Sequence, residues 1–334
     1  MTDTSIRKSF VGPKAGAKFG GLRIRGRSQL SGVVGALLLI VGAAALISPN
    51  FLTAYNLTIM SRELAFIGIV ATAQGLLLLL GDIDVSIGAI AGLAGIICAK
   101  LIVDFGFNPA VAIWAGLAAG AAAGALNGLI ITSFNLNSLV VTIGTLSVFS
   151  GLNLLITKGR TIVGLPESVT FLGTGTLFEV PIPVYIMLGI FAVILFLTTK
   201  TVYGRQLYAV GNSREAAKII GIKEQKIRVT AYAAAGTLAG LAGMLMCFRL
   251  LSAQTAIGQS WLLPSIAAPV IGGIATTGGI GSIWGALVGS AIMVVIGNII
   301  VLGGVNVYLQ QIVTGLIVVA AVAMDAAMRR LGQR

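Results

Sequence analysis

The sequence predicts an all-α polytopic membrane protein of about ten transmembrane helices, and three observations predict it. Hydrophobic residues make up 57% of the 334 and charged residues only 10%, against roughly a quarter charged in an ordinary soluble domain. Mean hydropathy is +1.02. That is more apolar surface than one core can bury, so the excess must face lipid. The charges gather in a few segments between apolar runs close to the length of a bilayer crossing. Histidine is absent, which excludes His general bases, Ser-His-Asp triads and His metal sites. Cys98 and Cys247 lie far apart within apolar runs and read as small core hydrophobes, so neither a disulfide framework nor a metal site is expected. No cofactor is implied.

Charge and turn residues mark off the spans in order. A basic tail, 1–29, precedes the first span, 30–47. That run is long, glycine-rich and without a small-residue cleavage site before Pro49 and Asn50, so it reads as a retained helix and not a signal peptide. The second and third spans, 64–80 and 85–103, flank Gly-Asp-Ile-Asp-Val-Ser-Ile-Gly at 81–88. Read as a break within the membrane or as a loop outside it, this stretch leaves eight to eleven crossings open. The fourth span is 110–132, the fifth 138–157, the sixth 182–199 and the seventh 229–248. The eighth, 262–277, runs into a corner, 272–281, whose five glycines suggest flexibility; the ninth is 282–302 and the tenth 306–326.

Lysine and arginine collect on the cytoplasmic side of membrane proteins. Seven lie in 1–29, seven in 200–228 and three at the end (Arg329, Arg330 and Arg334), 17 of the 22 in all. A ten-helix count puts these three segments on one side, so both termini, including the end 329–334, are expected in the cytoplasm, with the transmembrane domain at 30–328 between them. The net charge of +12 is then explained by this asymmetry and by contact with anionic lipid headgroups, not by nucleic acid.

Gly116, Gly120, Gly124 and Gly128 recur every four residues in the fourth span, and Gly281, Gly285 and Gly289 in the ninth. Such spacing tightens helix contacts. Gly120 and Gly285 are 165 residues apart, about half the chain, which suggests two halves of five helices. Because five is odd, the second half enters the membrane in the opposite sense, an inverted repeat of the kind many transporters use.

Polar residues inside apolar runs are the candidate lining of a path. Asp82 and Asp84 are costly near hydrocarbon without a cavity, a helix N-terminus or a cation to compensate them. Asp84 resembles an N-cap opening the third helix; a proton-coupling carboxylate or a polar wall of the path are the other readings. Asn127, Asn137, Thr142 and Asn153 supply unusual polarity to the fourth and fifth spans. The break 249–261 offers Ser252, Gln254, Thr255 and Gln259 beside Trp261, a composition suited either to a hydroxyl-rich solute on an aromatic platform or to a wet interfacial loop.

The most specific stretch is 203–228, YGRQLYAVGNSREAAKIIGIKEQKIR. Ser213 can cap a helix of about seven residues containing Arg214, Glu215, Ala216 and Ala217, with Glu215 near the favourable dipole end and Gly221 as terminator. A short amphipathic helix projecting from a bundle suits docking in a groove of another protein.

Here Glu-Ala-Ala followed by Gly221 resembles the coupling motif of ABC importer permeases. Together with 81–88, Tyr-Gly-Arg and Ala-Val-Gly-Asn within 203–212, and Ser-Ala-Gln-Thr-Ala-Ile-Gly at 252–258, it is similar to the ribose-type monosaccharide permeases of bacteria over about residues 35–328. The chain departs from other importer permeases in lacking an Ile-x-Leu-Pro continuation, which favours the sugar branch. The resemblance implies a homodimer in the inner membrane, a separate cytoplasmic ATPase coupled through Ser213 to Gly221, and a periplasmic sugar-binding protein. No G-x-x-x-x-G-K-[ST] occurs, so this chain lacks a phosphate-cradling loop of its own. The competing expectation is a proton- or sodium-coupled secondary transporter using Asp82 and Asp84.

Overall fold

The structure is a computed structural model that describes residues 20–304 and, past them, 309, 312–317, 319–320 and 323. The tail up to residue 19 and the end 329–334 lie outside the described residues, and the tenth span is represented only by those scattered positions, all helical.

The long helices are α1 (Gly20–Ile47), α2 (Ala54–Leu78), α3 (Ile87–Val103), α4 (Pro109–Ser133) and α5 (Ser138–Thr157) in the first part of the chain. A short α6 (Glu167–Thr174) precedes α7 (Ile182–Lys200), α8 (Val202–Asn212) and α9 (Arg214–Ile219). Then come α10 (Glu224–Leu250), α11 (Leu262–Ile271) and α12 (Ile283–Leu302). Six of these, α2, α4, α5, α7, α10 and α12, are long and apolar enough to cross a bilayer. The two strand pairs among the described residues are two residues deep: β1 (Ile162–Val163) with β4 (Ser252–Ala253), and β2 (Thr176–Leu177) with β3 (Val180–Pro181). A polytopic membrane protein is the result.

Several boundaries differ from the hydropathy reading. α2 begins at Ala54, with Thr53 Oγ1 accepting from the Asn56 N–H at 3.4 Å. Arg62 and Glu63 had kept that first part out of an apolar window. α10 begins at Glu224, because Arg228 is buried by a carboxylate partner and does not end the span at the surface. The eighth span stops at Ile271 and not at 277, since Pro269 and the left-handed Gly273 (φ +87°) close α11. The corner 272–281 is pinned and not free: Gly279 N–H donates to Leu79 O at 2.9 Å and Tyr208 Oη to Gly281 O at 3.0 Å. Gly281 is in that turn at φ +125°, outside α12, so it does not belong to the helical glycine row. α6, α8 and the strand pairs were not expected.

α2 and α10 form the buried centre, while α4, α5 and α7 present broad exposed faces. α4 and α10 touch backbone to backbone. A Cβ on Gly120 would lie 2.5 Å from Gly236 O, and one on Gly128 would lie 2.9 Å from Val229 Cα. Gly124 meets the Tyr232 carbonyl, and Gly116 abuts Ala94 and Met244. α12 meets α11 in the same manner, Gly285 against Gly272 and Gly289 against Ala268. Cys98 and Cys247 are buried free thiols within this packing.

Two ends of the bundle can be told apart. The segments 79–82, 133–137, 200–223 and 272–281 share one end, tied by Gln225 Nε2 to Ser133 Oγ at 3.4 Å and by the Leu79 and Tyr208 bonds. At the other end Arg62 Nη2 reaches Thr174 O at 2.9 Å, Arg249 pairs with Glu63 at 3.4 Å, and β1 pairs with β4.

Candidate functional site

The chain turns sharply after α2. Gly81 adopts φ +75°, its N–H donating to Leu78 O and that of Asp82 to Leu77 O, a helix-ending turn that glycine accommodates without strain. From 82 to 86 the chain is not helical, and α3 starts only at Ile87. The 81–88 stretch is therefore a break inside the protein.

Side chains satisfy its backbone. Ile83 N–H donates to Ser138 Oγ at 3.4 Å and Val85 N–H to Thr142 Oγ1 at 3.1 Å, both from α5. With its amide assigned the orientation that satisfies both groups, the Gln74 carboxamide brackets Asp84, its oxygen accepting from the Asp84 N–H at 3.1 Å and its nitrogen donating to the Asp84 carbonyl at 3.2 Å. A non-helical segment survives at membrane depth only with such partners. Polar residues of α5 that seemed pore-lining thus serve the break: Thr142 is fully buried against it.

Asp84 is not the N-cap of α3. Ser86 holds that position, with no side-chain cap bond of its own. Instead Asp84 Oδ1 accepts from Ser86 N–H at 2.7 Å and Ser86 Oγ–H at 2.6 Å, while Asn127 Nδ2 donates to Ser86 Oγ at 2.8 Å and Asp84 Oδ2 at 3.4 Å. Asn127 Oδ1 is buried without a partner. Asp84→Asn is accordingly expected to retain part of its transport, because rotating the Asn127 amide would offer that oxygen to the new NH2 group. Asp84→Leu, which leaves the Ser86 and Asn127 donors unpaired, should lose it. Uptake by the two variants checks this; equal loss would mean the charge itself is required.

Asp82 faces a different environment. Arg228 Nε donates to its Oδ2 at 2.9 Å and Arg228 Nη2 to its Oδ1 at 3.0 Å, a two-point grip with both residues 1% exposed. Arg214 Nη2 adds a third bond, to Oδ1 at 3.0 Å. Asp82 is therefore ion-paired at the basic end and not an open wall of a path. Arg228 and Glu224, four residues apart at the start of α10, were missed, although opposite charges at that spacing opening an apolar run are a helix-pair signal.

α9 follows the sequence closely. Ser213 Oγ accepts from Ala216 N–H at 3.2 Å, Glu215 lies in the first turn, Ala217 is buried, and Gly221 takes the left-handed turn at φ +83°. Ile219 and Ile220 project outward, 85% and 71% exposed.

The second break starts at Leu251, left-handed at φ 56°, and runs to a 3-10 turn at Gln259–Trp261. Gly258 and Gly88 lie backbone on backbone, and Asn153, which donates to Ala89 O at 3.1 Å, closes on Gly92 beside Ile257 O. The two breaks therefore meet inside the bundle. Trp261 offers no open platform, since it is 3% exposed and stacked on Phe66 at 6.2 Å. Ser252 is buried in β4, Thr255 half-buried, and Gln254 and Gln259 exposed. Asn137 is apart from this cluster, capping α5 by accepting from Leu139 N–H at 2.9 Å.

Residues 56–322 match the family model described as branched-chain amino acid transport system / permease component. The chain is 37% identical over 291 residues to the ribose import permease protein of Bacillus subtilis (strain 168), an alignment covering 86% of this chain and 90% of that one. It is 34% identical over 294 residues to the ribose import permease protein of Escherichia coli (strain K12), covering 87% and 91%. It is also 31% identical over 295 residues to the L-arabinose ABC transporter permease protein of Azospirillum brasilense, covering 88% and 87%. No solved structure matches the chain.

Proposed function

The chain belongs to the branched-chain amino acid transport system / permease component family and is the permease subunit of an ABC importer, and on that premise we propose that it forms the translocation path for a ribose-like monosaccharide. It is a transport component and not an enzyme, a multi-pass inner-membrane protein served by a separate ATPase subunit and a periplasmic binding protein. The observation that carries the sugar reading is an identity of 31–37% over most of the chain to permeases named for ribose and L-arabinose. These homologues set aside the proton- or sodium-coupled alternative.

In this reading Asn127 and Asn153, whose buried Oδ1 atoms have no partner, meet sugar hydroxyls when the path opens at the junction of the breaks, and Ser252, Gln254, Thr255 and Gln259 form its approach. Neutral donors and acceptors suit a neutral polyhydroxylated solute. Ser213, Arg214, Glu215, Ala216, Ala217 and Gly221 form the coupling element for the ATPase. The basic end is then cytoplasmic, with the tail 1–29 and the end 329–334 on that side and the permease domain, 30–328, between them. A second copy completes the path, with lipid against the remaining exposed apolar faces.

A five-plus-five inverted repeat is supported by an exchange of partners: α4 packs on α10 as α12 packs on α2, and α3 on α4 as α11 on α12. The breaks also occupy corresponding places, each following a central helix and preceding a short one, α3 of 17 residues and α11 of 10. Interrupted helices at matching positions mark the substrate site in repeat-built transporters.

The test is uptake in vesicles holding this chain, its ATPase and its binding protein. Ribose accumulation should require ATP and survive collapse of the proton gradient. Accumulation by the chain alone, driven by a pH or sodium gradient, would install a secondary transporter in its place.

A further inference from the structure

Arg214 and Lys218 stand one turn apart on α9, and both lead to the same carboxylate. Arg214 reaches Asp82 directly, at 3.0 Å. Lys218 Nζ pairs with Glu224 Oε2 at 3.1 Å, Glu224 Oε1 accepts from Arg228 Nη1 at 3.3 Å, and Arg228 holds Asp82 at two points. An external helix is thus tied twice to the first residue of the 82–86 segment. At the far end of that segment α3 begins, and Gly88 in its first turn rests on Gly258 of the opposite break.

From this geometry we infer that Asp82 is the junction through which displacement of α9 moves the 82–86 segment and, by way of the contact between Gly88 and Gly258, the second break. The inference rests on α9 being the coupling helix. In the proposed path the solute meets Asn127 and Asn153, and Asn127 bonds Asp84 and Ser86, so these charged groups are positioning residues that act through the 82–86 segment. Asp82 and Arg228 are each 1% exposed, so separating them would strand charge in a low dielectric, and the pair must move as one body. Arg214 is different, with its side chain 35% exposed. Its bond is screened by solvent and is the joint able to open and close. Five charged groups share the cluster, three basic and two acidic, so releasing Arg214 still leaves Asp82 neutralised by Arg228. A tie that can open without leaving a buried charge unpaired suits a repeated stroke.

The test reads ribose taken up per ATP hydrolysed by the reconstituted complex of this chain, its ATPase and its binding protein. Arg214→Gln is expected to lower that ratio a few-fold, the scale of a solvent-screened ion pair, and Arg214→Lys to restore most of it. Asp82→Asn approaches the same bond from inside the bundle and should lower the ratio as well. The double variant should be no worse than Asp82→Asn alone, because the ion pair that Arg214 would lose is then already gone, apart from its longer contact with Glu224 at 3.8 Å. An unchanged ratio in Arg214→Gln overturns the inference, and so do losses that multiply in the double variant. If Asp82→Asn does not assemble, the half-exposed Arg214 series decides alone. Failure of the underlying coupling assignment looks different: Glu215→Lys would then assemble with the ATPase and transport normally, whatever the ratio in the Arg214 variants.

Discussion

Gly120→Leu is expected to remove nearly all folded protein from the membrane, and Gly285→Leu to do the same through the other half of the bundle. At Gly120 even a methyl group would sit 2.5 Å from Gly236 O and 3.4 Å from Gly240 Cα; at Gly285 the Gly272 backbone is closer still. Neither obstacle is the end of a flexible side chain that could swing aside. Two helix backbones must separate, and the loss spreads along the whole crossing, since Gly124 and Gly128 depend on the same approach to α10. Overpacking a well-filled core commonly costs about 1–3 kcal/mol, and contact with backbone on both sides puts these sites at or above the top of that range. Gly189→Leu is the control: nothing lies within 4 Å of a Cβ there, so its effect on the fold should be small. Membrane levels and thermal stability in detergent for the three variants check the expectation. Normal values for Gly120→Leu and Gly285→Leu would place these faces against lipid and remove the packing support for paired halves.

The contrast between legible and hidden features has a physical cause. Hydropathy located the six described helices long and apolar enough to cross a bilayer because lipid acts on average apolarity, and the capped helix at Ser213 was legible because a cap, its first turn and a terminating glycine are all local. Hydropathy also hid what long-range pairing supplies. Arg228 looked like the last charge of a surface loop, and its two-point grip on Asp82, 146 residues away, together with Glu224 lets it enter the bundle. The polarity of Thr142 was visible, yet whether it faced a path or a backbone depended on where the 82–86 segment passes. Gln74 drew no notice within an apolar run, although it satisfies both backbone groups of Asp84. Trp261 was misjudged for the same reason, since its stacking partner Phe66 comes from the other half of the chain. In each case the missing information was the identity of a distant neighbour and not a residue preference.

Glu215→Lys is expected to abolish uptake while leaving the chain folded in the membrane, and the structure separates those two effects. The Glu215 side chain is fully exposed, and it accepts only from Ser213 Oγ–H at 3.3 Å among side chains, so the bundle loses no buried contact when it changes. Its carboxyl is held below the ordinary carboxylate value, first by its own backbone N–H and then by Ser213. The charge is therefore present at any pH near neutrality, and its support of the α9 N-terminus fades only as the pH falls through that lowered value. Lysine reverses the sign at the positive end of the helix dipole and, in the coupling role proposed for α9, presents a cation in place of an anion to the ATPase. The exposed Ile219 and Ile220 lie at the other end of the same short helix, so a tilt of α9 also moves the apolar surface that the proposed docking would use. Glu215→Gln keeps a hydrogen-bonding side chain without the charge and should fall between the two. Co-purification with the ATPase and uptake in vesicles are the measurements. Losing both in Glu215→Lys at normal membrane levels is the expected result, while full uptake would move the coupling surface elsewhere, with 223–226 and its basic neighbours of Glu224 as the next place to look.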